Sequence, residues 1–162
     1  MQSEGHTGAM PAQADVEWMK LVLEEAAAAA ASGEVPVGAV VIHGGEVVGR
    51  GNNRNLGEND PTAHAEIVAL RDAGAHMGNH RLLGCTLYST IEPCAMCAGA
   101  MVHARIARLV YGAHDPKAGA AGSVLEVINH PGLNHKIEVT SGVLEEQCAE
   151  LLRKFFQERR KE

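Results

Sequence analysis

Strand-length apolar runs alternate with helix-length segments from residue 15 onward, and this alternation narrows the possible folds more than any other feature of the chain. A first helix is expected from Asp15, a good N-cap, through an alanine-rich stretch to Ser32-Gly33. The apolar run from Val37 to His43 and the alternating run from Glu46 to Gly51 flank His43-Gly44-Gly45-Glu46 and read as a β-hairpin. Asp60-Pro61 is expected to open a second helix that carries Ile67, Val68 and Leu70 and fades near Gly74. A strand at Cys85 to Thr90, a helix from Pro93 to Val102 and a strand at Arg108 to Gly112 follow. After a small-residue loop, Asp115 to Ser123, we expect a short helix around Val124 to Ile128 and a last strand at Ile137 to Thr140. The closing helix places Leu144, Cys148, Leu151, Leu152 and Phe155 on one face. Strands and helices in this order predict an α/β fold with a partly parallel sheet covered on both faces.

Length and composition limit what else the chain can be. Its 162 residues suit one domain, taken as residues 15–162, and an apolar fraction of 46% excludes global disorder. Residues 1–14 bear Gly, Ser and Pro without periodicity and read as a disordered lead. No apolar run approaches the ~20 residues of a membrane span, and the N-terminus lacks a basic region followed by an apolar one. A cytoplasmic protein is therefore expected. In that reducing compartment a close cysteine pair signals metal or redox chemistry, while the isolated Cys85 and Cys148 read as buried thiols. The net charge of −6 argues against a strongly basic nucleic-acid binder. The last ten residues, with Arg153, Lys154, Arg159, Arg160 and Lys161 against Glu158 and Glu162, are nevertheless cationic, and their helix tip is a candidate phosphate contact.

Two segments carry chemistry: Thr62-Ala63-His64-Ala65-Glu66 and Glu92-Pro93-Cys94-Ala95-Met96-Cys97. On a helix, Cys94 and Cys97 are three residues apart and share a face. They sit at a helix start, where free N–H groups favour thiolate over thiol. Two thiolates and one imidazole suit Zn²⁺, and three protein ligands leave its fourth position to water. Glu66, two residues beyond His64, points away from the ligand position, as a general base one water removed from the metal should. Zinc lowers the pKa of bound water from 15.7 to about 7, within reach of a carboxylate. A purely structural zinc site is the weaker reading, because such sites want four protein ligands and no second C-x-x-C exists here. H-x-E followed by P-C-x-x-C is the signature of zinc deaminases acting on cytosine or adenine.

Beyond that signature the chain resembles the bacterial tRNA-specific adenosine deaminases from about Val16 to Arg160. The likeness includes Val35-Pro36-Val37-Gly38-Ala39, Asn53-Arg54, both metal segments, Gly119-Ala120-Ala121-Gly122-Ser123 and His130-Pro131-Gly132-Leu133-Asn134-His135. Relatives acting on guanine or cytosine share the metal segments, whereas the two later stretches are more particular to the tRNA enzymes. The resemblance implies a three-layer α/β/α cytidine-deaminase-like fold with a five-stranded mixed sheet, one Zn²⁺ per subunit and a homodimer. It implies hydrolysis of adenosine to inosine at wobble position 34 of a tRNA anticodon, where a water activated by Glu66 attacks C6 of a flipped-out adenine and ammonia leaves. His64, Cys94 and Cys97 are then the ligands. Asn53 is the expected base contact, with Asn52 an alternative one residue away. Arg54, Asp115, Lys117, Asn134, Arg159 and Arg160 are further candidate contacts to the RNA. Two other readings stay open: a free guanine or cytosine deaminase, and a non-catalytic zinc-stabilised RNA-binding subunit. Glu66 speaks against the last, since a retired subunit needs no proton shuttle.

Overall fold

A computed structural model describes residues 12–160. Most of the expected unstructured lead lies outside the described residues, but its end differs from expectation: Gln13 and Ala14 already belong to the first helix, α1 (Gln13–Ala31). The hairpin forms as β1 (Gly38–His43) and β2 (Glu46–Asn52), and Gly44 and Gly45 supply the two positive φ angles at its turn. Next come a single helical turn, α2 (Asn55–Glu58), then α3 (Ala65–Met77), β3 (Thr86–Ile91), α4 (Ala95–Ala104) and β4 (Arg108–Ala113). Strand β5 (Glu138–Thr140) and the long α5 (Glu145–Arg160) complete the chain.

The five strands form one mixed sheet in the order β2-β1-β3-β4-β5. Strand β1 is antiparallel to both β2 and β3, and the β3–β4 and β4–β5 pairs are parallel. Alternate residues of each strand enter opposite cores. Ala39, Val41, Leu87, Leu109 and Tyr111 pack with α3 and α4, while Val40, Ile42, Tyr88 and Val110 pack with Met19 and Val22 of α1 and Cys148 of α5. Burial on both faces explains why the central strands read as continuous apolar runs. The result is the expected three-layer α/β/α sandwich.

Several local expectations differ in the structure. Asp15 is not the cap of α1 but lies inside it, 2% exposed, where its carboxylate takes two hydrogen bonds from Arg108 (3.0 and 2.7 Å) and one from Tyr88 Oη (2.6 Å). Asp60-Pro61 does not open a helix. Asp60 Oδ1 caps a tight turn through Thr62 N and Oγ1, and α3 begins only at Ala65. No helix forms at residues 124–128, where turns and a bridge between Ala121 and Glu126 replace it. Leu144 stands outside α5 with φ of 52°, and only Cys148 of that helix is fully buried.

Close backbone packing sets α3 on the sheet. A Cβ on Gly51 of β2 would lie 2.3 Å from Ala65 O and 2.6 Å from Ala69 N, so the start of α3 rests on a strand without a side chain. This contact fixes the height of the residues that open α3.

Candidate active site

His64 and Cys94 occupy equivalent places, each the extended residue that caps a helix, α3 and α4 respectively. Cys97 lies one turn inside α4 and is fully buried, and Glu66 lies in the first turn of α3 at 3% exposure. The crossover from β3 through α4 to the parallel β4 brings the two helix starts together at the carboxyl end of β3, where open α/β sheets bind ligands.

His64 Nδ1 stands 3.6 Å from Cys94 Sγ and 3.5 Å from Cys97 Sγ, and the three ligand atoms all lie within 4.8 Å of one another. A tetrahedral zinc ion with Zn–S of about 2.3 Å and Zn–N of about 2.0–2.1 Å requires N···S edges of about 3.6 Å. The donors therefore fit zinc in both chemistry and spacing. The two sulfurs are not alike. Hydrogen bonds from Cys97 and His64 pull the Cys94 thiol down to about 3, while the Cys94 sulfur and burial push the Cys97 thiol up. His64 is raised, first by its bond to Cys94. Burial pushes the Glu66 carboxyl up to about 7. An acid poised there can both take and give a proton near neutral pH.

His64, Cys94 and Glu66 face a cavity of about 450 Å³, large enough for a nucleobase, with Cys97 buried behind them. Asn53 lines it, 8% exposed, with Oδ1 accepting a 2.8 Å bond from Ala65 N, so its amide also caps α3. Asn52 points elsewhere, bonded through Nδ2 to Glu25 Oε1 at 3.0 Å. Asp115 and Lys117 line the cavity too, joined by Val37, Leu152 and Phe156, which the sequence did not single out for the site.

The other candidate contacts are not gathered here. Arg54 caps α2, pairs with Glu58 at 3.6 Å and lines a separate charged groove. Asn134 is exposed in the loop before β5 and does not line the cavity. Arg159 and Arg160 both line a groove beside the cavity that shares Asp115, Lys117 and Phe156 with it. Arg159 is less free than a solvated helix tip: its guanidinium donates to Gly33 O at 2.6 Å and lies 4.8 Å above the Phe155 ring. Lys161, the third cation of that tip, lies outside the described residues.

Glu92, the first residue of the second motif, does more than lead into the ligand helix. It is 1% exposed and accepts hydrogen bonds from Asp115 N, Ala121 N, Ser123 N and Ser123 Oγ. Burial raises its pKa, but these bonds outweigh it and hold the carboxyl below its ordinary value. Glu34, missed altogether, caps α2 with its carboxylate through Leu56 N (3.1 Å) and Gly57 N (2.7 Å). Its only local signal is an acid at a helix end, a common surface arrangement.

A soft three-donor set and a buried acid beside a base-sized cavity, in this sandwich, define a hydrolytic deaminase. A family model described as MafB19-like deaminase matches residues 13–160. The tRNA-specific adenosine deaminase of Haemophilus influenzae is 51% identical over 149 residues, covering 91% of this chain and 86% of that protein. The Bacillus subtilis protein of the same name is 45% identical over 147 residues, 91% of each chain. A solved structure from studies of A-to-I editing by tRNA:A34 deaminases at the wobble position superposes with a TM-score of 0.81 at 47% identity, over 84% of this chain and 99% of that one. Guanine deaminase from Nitrosomonas europaea superposes with a TM-score of 0.78 at 28% identity, over 94% and 90%. The chain belongs to the family of tRNA-specific adenosine deaminases.

Proposed function

We propose that this enzyme hydrolyses adenosine to inosine at wobble position 34 of a tRNA anticodon, using one zinc ion per chain. The observation that carries the reading is 51% identity over 91% of the chain to a protein of that name, with His64, Cys94 and Cys97 grouped and with His64, Cys94 and Glu66 lining one cavity. Zinc held by His64, Cys94 and Cys97 would supply the Lewis acidity that brings a water's pKa near neutrality. Glu66 accepts one proton of the attacking water and passes it to N1 of the adenine; it then takes the remaining proton from the new C6 hydroxyl and delivers it to the amine, which leaves as the C6–N bond breaks and C6=O forms. One water is consumed and one ammonia released. Asn53, with Oδ1 held by Ala65 N, is left to donate through Nδ2 to the base. Asp115, Lys117 and Arg160 face the flanking nucleotides from the cavity rim and the adjoining groove. An anticodon loop suits such a site, because its bases splay out at less cost than duplex bases.

Among the described residues, no helix is long and apolar enough to cross a membrane. We place the enzyme in the cytoplasm, where its substrate is found, and as a homodimer. Val124 (51% exposed), Leu125 (50%) and Leu133 (37%), large apolar side chains in one stretch, support an interface there. Ammonia release from an anticodon stem-loop with adenosine at position 34, compared with guanine, cytosine and free adenosine, tests the reading. Turnover confined to the stem-loop is expected. Turnover of guanine with none of the stem-loop would replace it with the activity named for the Nitrosomonas relative.

A further inference from the structure

Residues 115–118 bring Asp115 and Lys117 to the cavity, yet they are weakly fastened. Within the segment, Asp115 Oδ1 accepts from Lys117 N (3.0 Å) and Ala118 N (3.1 Å), closing a tight turn on itself. Among the described residues, the one hydrogen bond that joins this turn to the sheet framework runs from Asp115 N to Glu92 Oε1, at 3.0 Å. Further on, Ala121 N and Ser123 N donate to Glu92 Oε2 at 2.9 and 3.1 Å, and Ser123 Oγ donates to Oε1. The middle of the loop has its own anchor, Ala120 N to Pro93 O at 2.8 Å. The loop thus has a fixed centre, to which Asp115 O is tied by Gly119 N at 2.9 Å, and a cavity-facing end whose one hydrogen bond to the sheet framework is to a carboxylate.

That carboxylate is an unusual fastening. Its side chain is fully buried, and the nearest basic group, His114 Nδ1, is 3.7 Å from Oε1. Backbone dipoles and one hydroxyl meet its charge instead of a fixed cation. Four donors converge on it, which only a group that accepts at both oxygens and donates at neither can satisfy. The loop also wraps directly over the carboxyl: a Cβ on Gly119 would lie 2.4 Å from Glu92 Cδ. Glu92 immediately precedes Pro93-Cys94 at the end of β3, so the strand that delivers a metal ligand also delivers this fastening.

We propose that Glu92 is a positioning residue of the deamination, setting Asp115 and Lys117 against the substrate without acting on the metal or on the proton transfer. The inference rests on the anticodon reading only for its choice of substrate. Asp115 and Lys117 would bind substrate and transition state alike, so loosening them raises KM and spares kcat.

The test uses zinc-loaded enzyme and initial rates on the stem-loop for Glu92→Gln, Ser123→Ala and the double variant. Gln keeps the volume but aims an N–H₂ at backbone N–H groups, and losing a charge-assisted bond shifts the loop's equilibrium by about tenfold or more. We expect full zinc content, kcat within about threefold of wild type and KM raised about tenfold for Glu92→Gln. Ser123→Ala should raise KM by a smaller factor, and the double variant should be no worse than Glu92→Gln, since both act through one contact. An unchanged KM in Glu92→Gln with full zinc overturns the proposal. So do KM effects that multiply in the double variant, which report general loosening, and loss of zinc with a parallel loss of kcat, which places Glu92's effect on Cys94. If Glu92→Gln fails to fold, an unchanged KM in Ser123→Ala decides against it. Should wild type ignore the stem-loop and act on a free base, the anticodon reading falls by itself. KM for that base then takes the same place, and an unchanged value in Glu92→Gln overturns the inference.

Discussion

Gly51→Ala should damage catalysis from the far side of a helix, through backbone geometry alone. The added Cβ would sit 2.3 Å from Ala65 O, 2.6 Å from Ala69 N and 3.0 Å from Val68 Cβ. Ordinary carbon contacts lie at about 3.5–4.0 Å, so the start of α3 must withdraw from β2 by roughly 1 Å. None of the three neighbours is the end of a flexible side chain. Overpacking of this kind costs about 1–3 kcal/mol of stability. The same movement carries His64 and Glu66, which open α3, away from Cys94 and Cys97 on α4. A 1 Å misplacement of reacting groups costs about 10²-fold in rate. Stem-loop turnover at saturating zinc, zinc content and thermal unfolding would be measured together. Gly74→Ala, on the same helix, is the control: its Cβ meets only Asn79 O at 3.4 Å. It should stabilise α3 by about 0.5–1 kcal/mol through helix propensity and leave turnover intact. Gly51→Ala with wild-type turnover and stability would refute the idea that this contact sets the height of the catalytic residues.

Other expectations follow from the same geometry. Glu66→Ala should fold, keep stoichiometric zinc and lose about 10²–10⁴-fold in kcat, and wild-type turnover would remove it from the proton pathway. Cys94→Ser or Cys97→Ser should lose metal and, because site formation is coupled to folding, stability as well, while Cys85→Ser keeps full metal by elemental analysis. Asp15→Ala should cost about 3 kcal/mol in urea unfolding, because Arg108 and Tyr88 lose the carboxylate they share. Burial works against the Asp15 charge, but its bonds to Arg108 and Tyr88 hold its pKa below the ordinary 3.8. Its contribution is therefore full above about pH 3.8 and fades as pH falls through the folded-state value, so the Asp15→Ala deficit should shrink in acid. Lys117→Gln and Arg160→Gln should each flatten the slope of log affinity against log salt by ~0.7, whereas Arg159→Gln, bound to Gly33 O, should lower the melting temperature. An Arg159→Gln variant with unchanged melting and a flattened slope would return that residue to the RNA-facing set.

The chemical core was legible because metal ligation restricts residue types and spacing in ways few other demands reproduce. His64, Cys94, Cys97 and Glu66 stand together in the structure, as two short motifs implied, and the three ligand atoms have the separation zinc requires. The layers were legible for a similar reason, since strand-length apolar runs need cover on both faces. Asn53 and Asn52, alike as neighbours in sequence, were separated only by the strand end on which they lie, which turns one into the cavity and the other toward Glu25.

Local signals misled where a tertiary partner outbid them. Asp15 has the chemistry of a cap, but Arg108, 93 residues away, takes its carboxylate. Asp60-Pro61 has the chemistry of a helix start, but the chain first needs a turn so that His64 can cap α3 beside Cys94. The amphipathic spacing of α5 showed that the helix packs, without showing that Leu152 and Phe156 would line the cavity or that Arg159 would reach back to Gly33. By itself, the sequence determined which side chains are gathered at one site and what class of sandwich holds them, because both follow from residue type and period. Strand order, the height of α3 on Gly51, and the fastening of residues 115–123 to Glu92 were decided only in the folded chain, because each depends on contacts between segments whose separation leaves no mark on local composition.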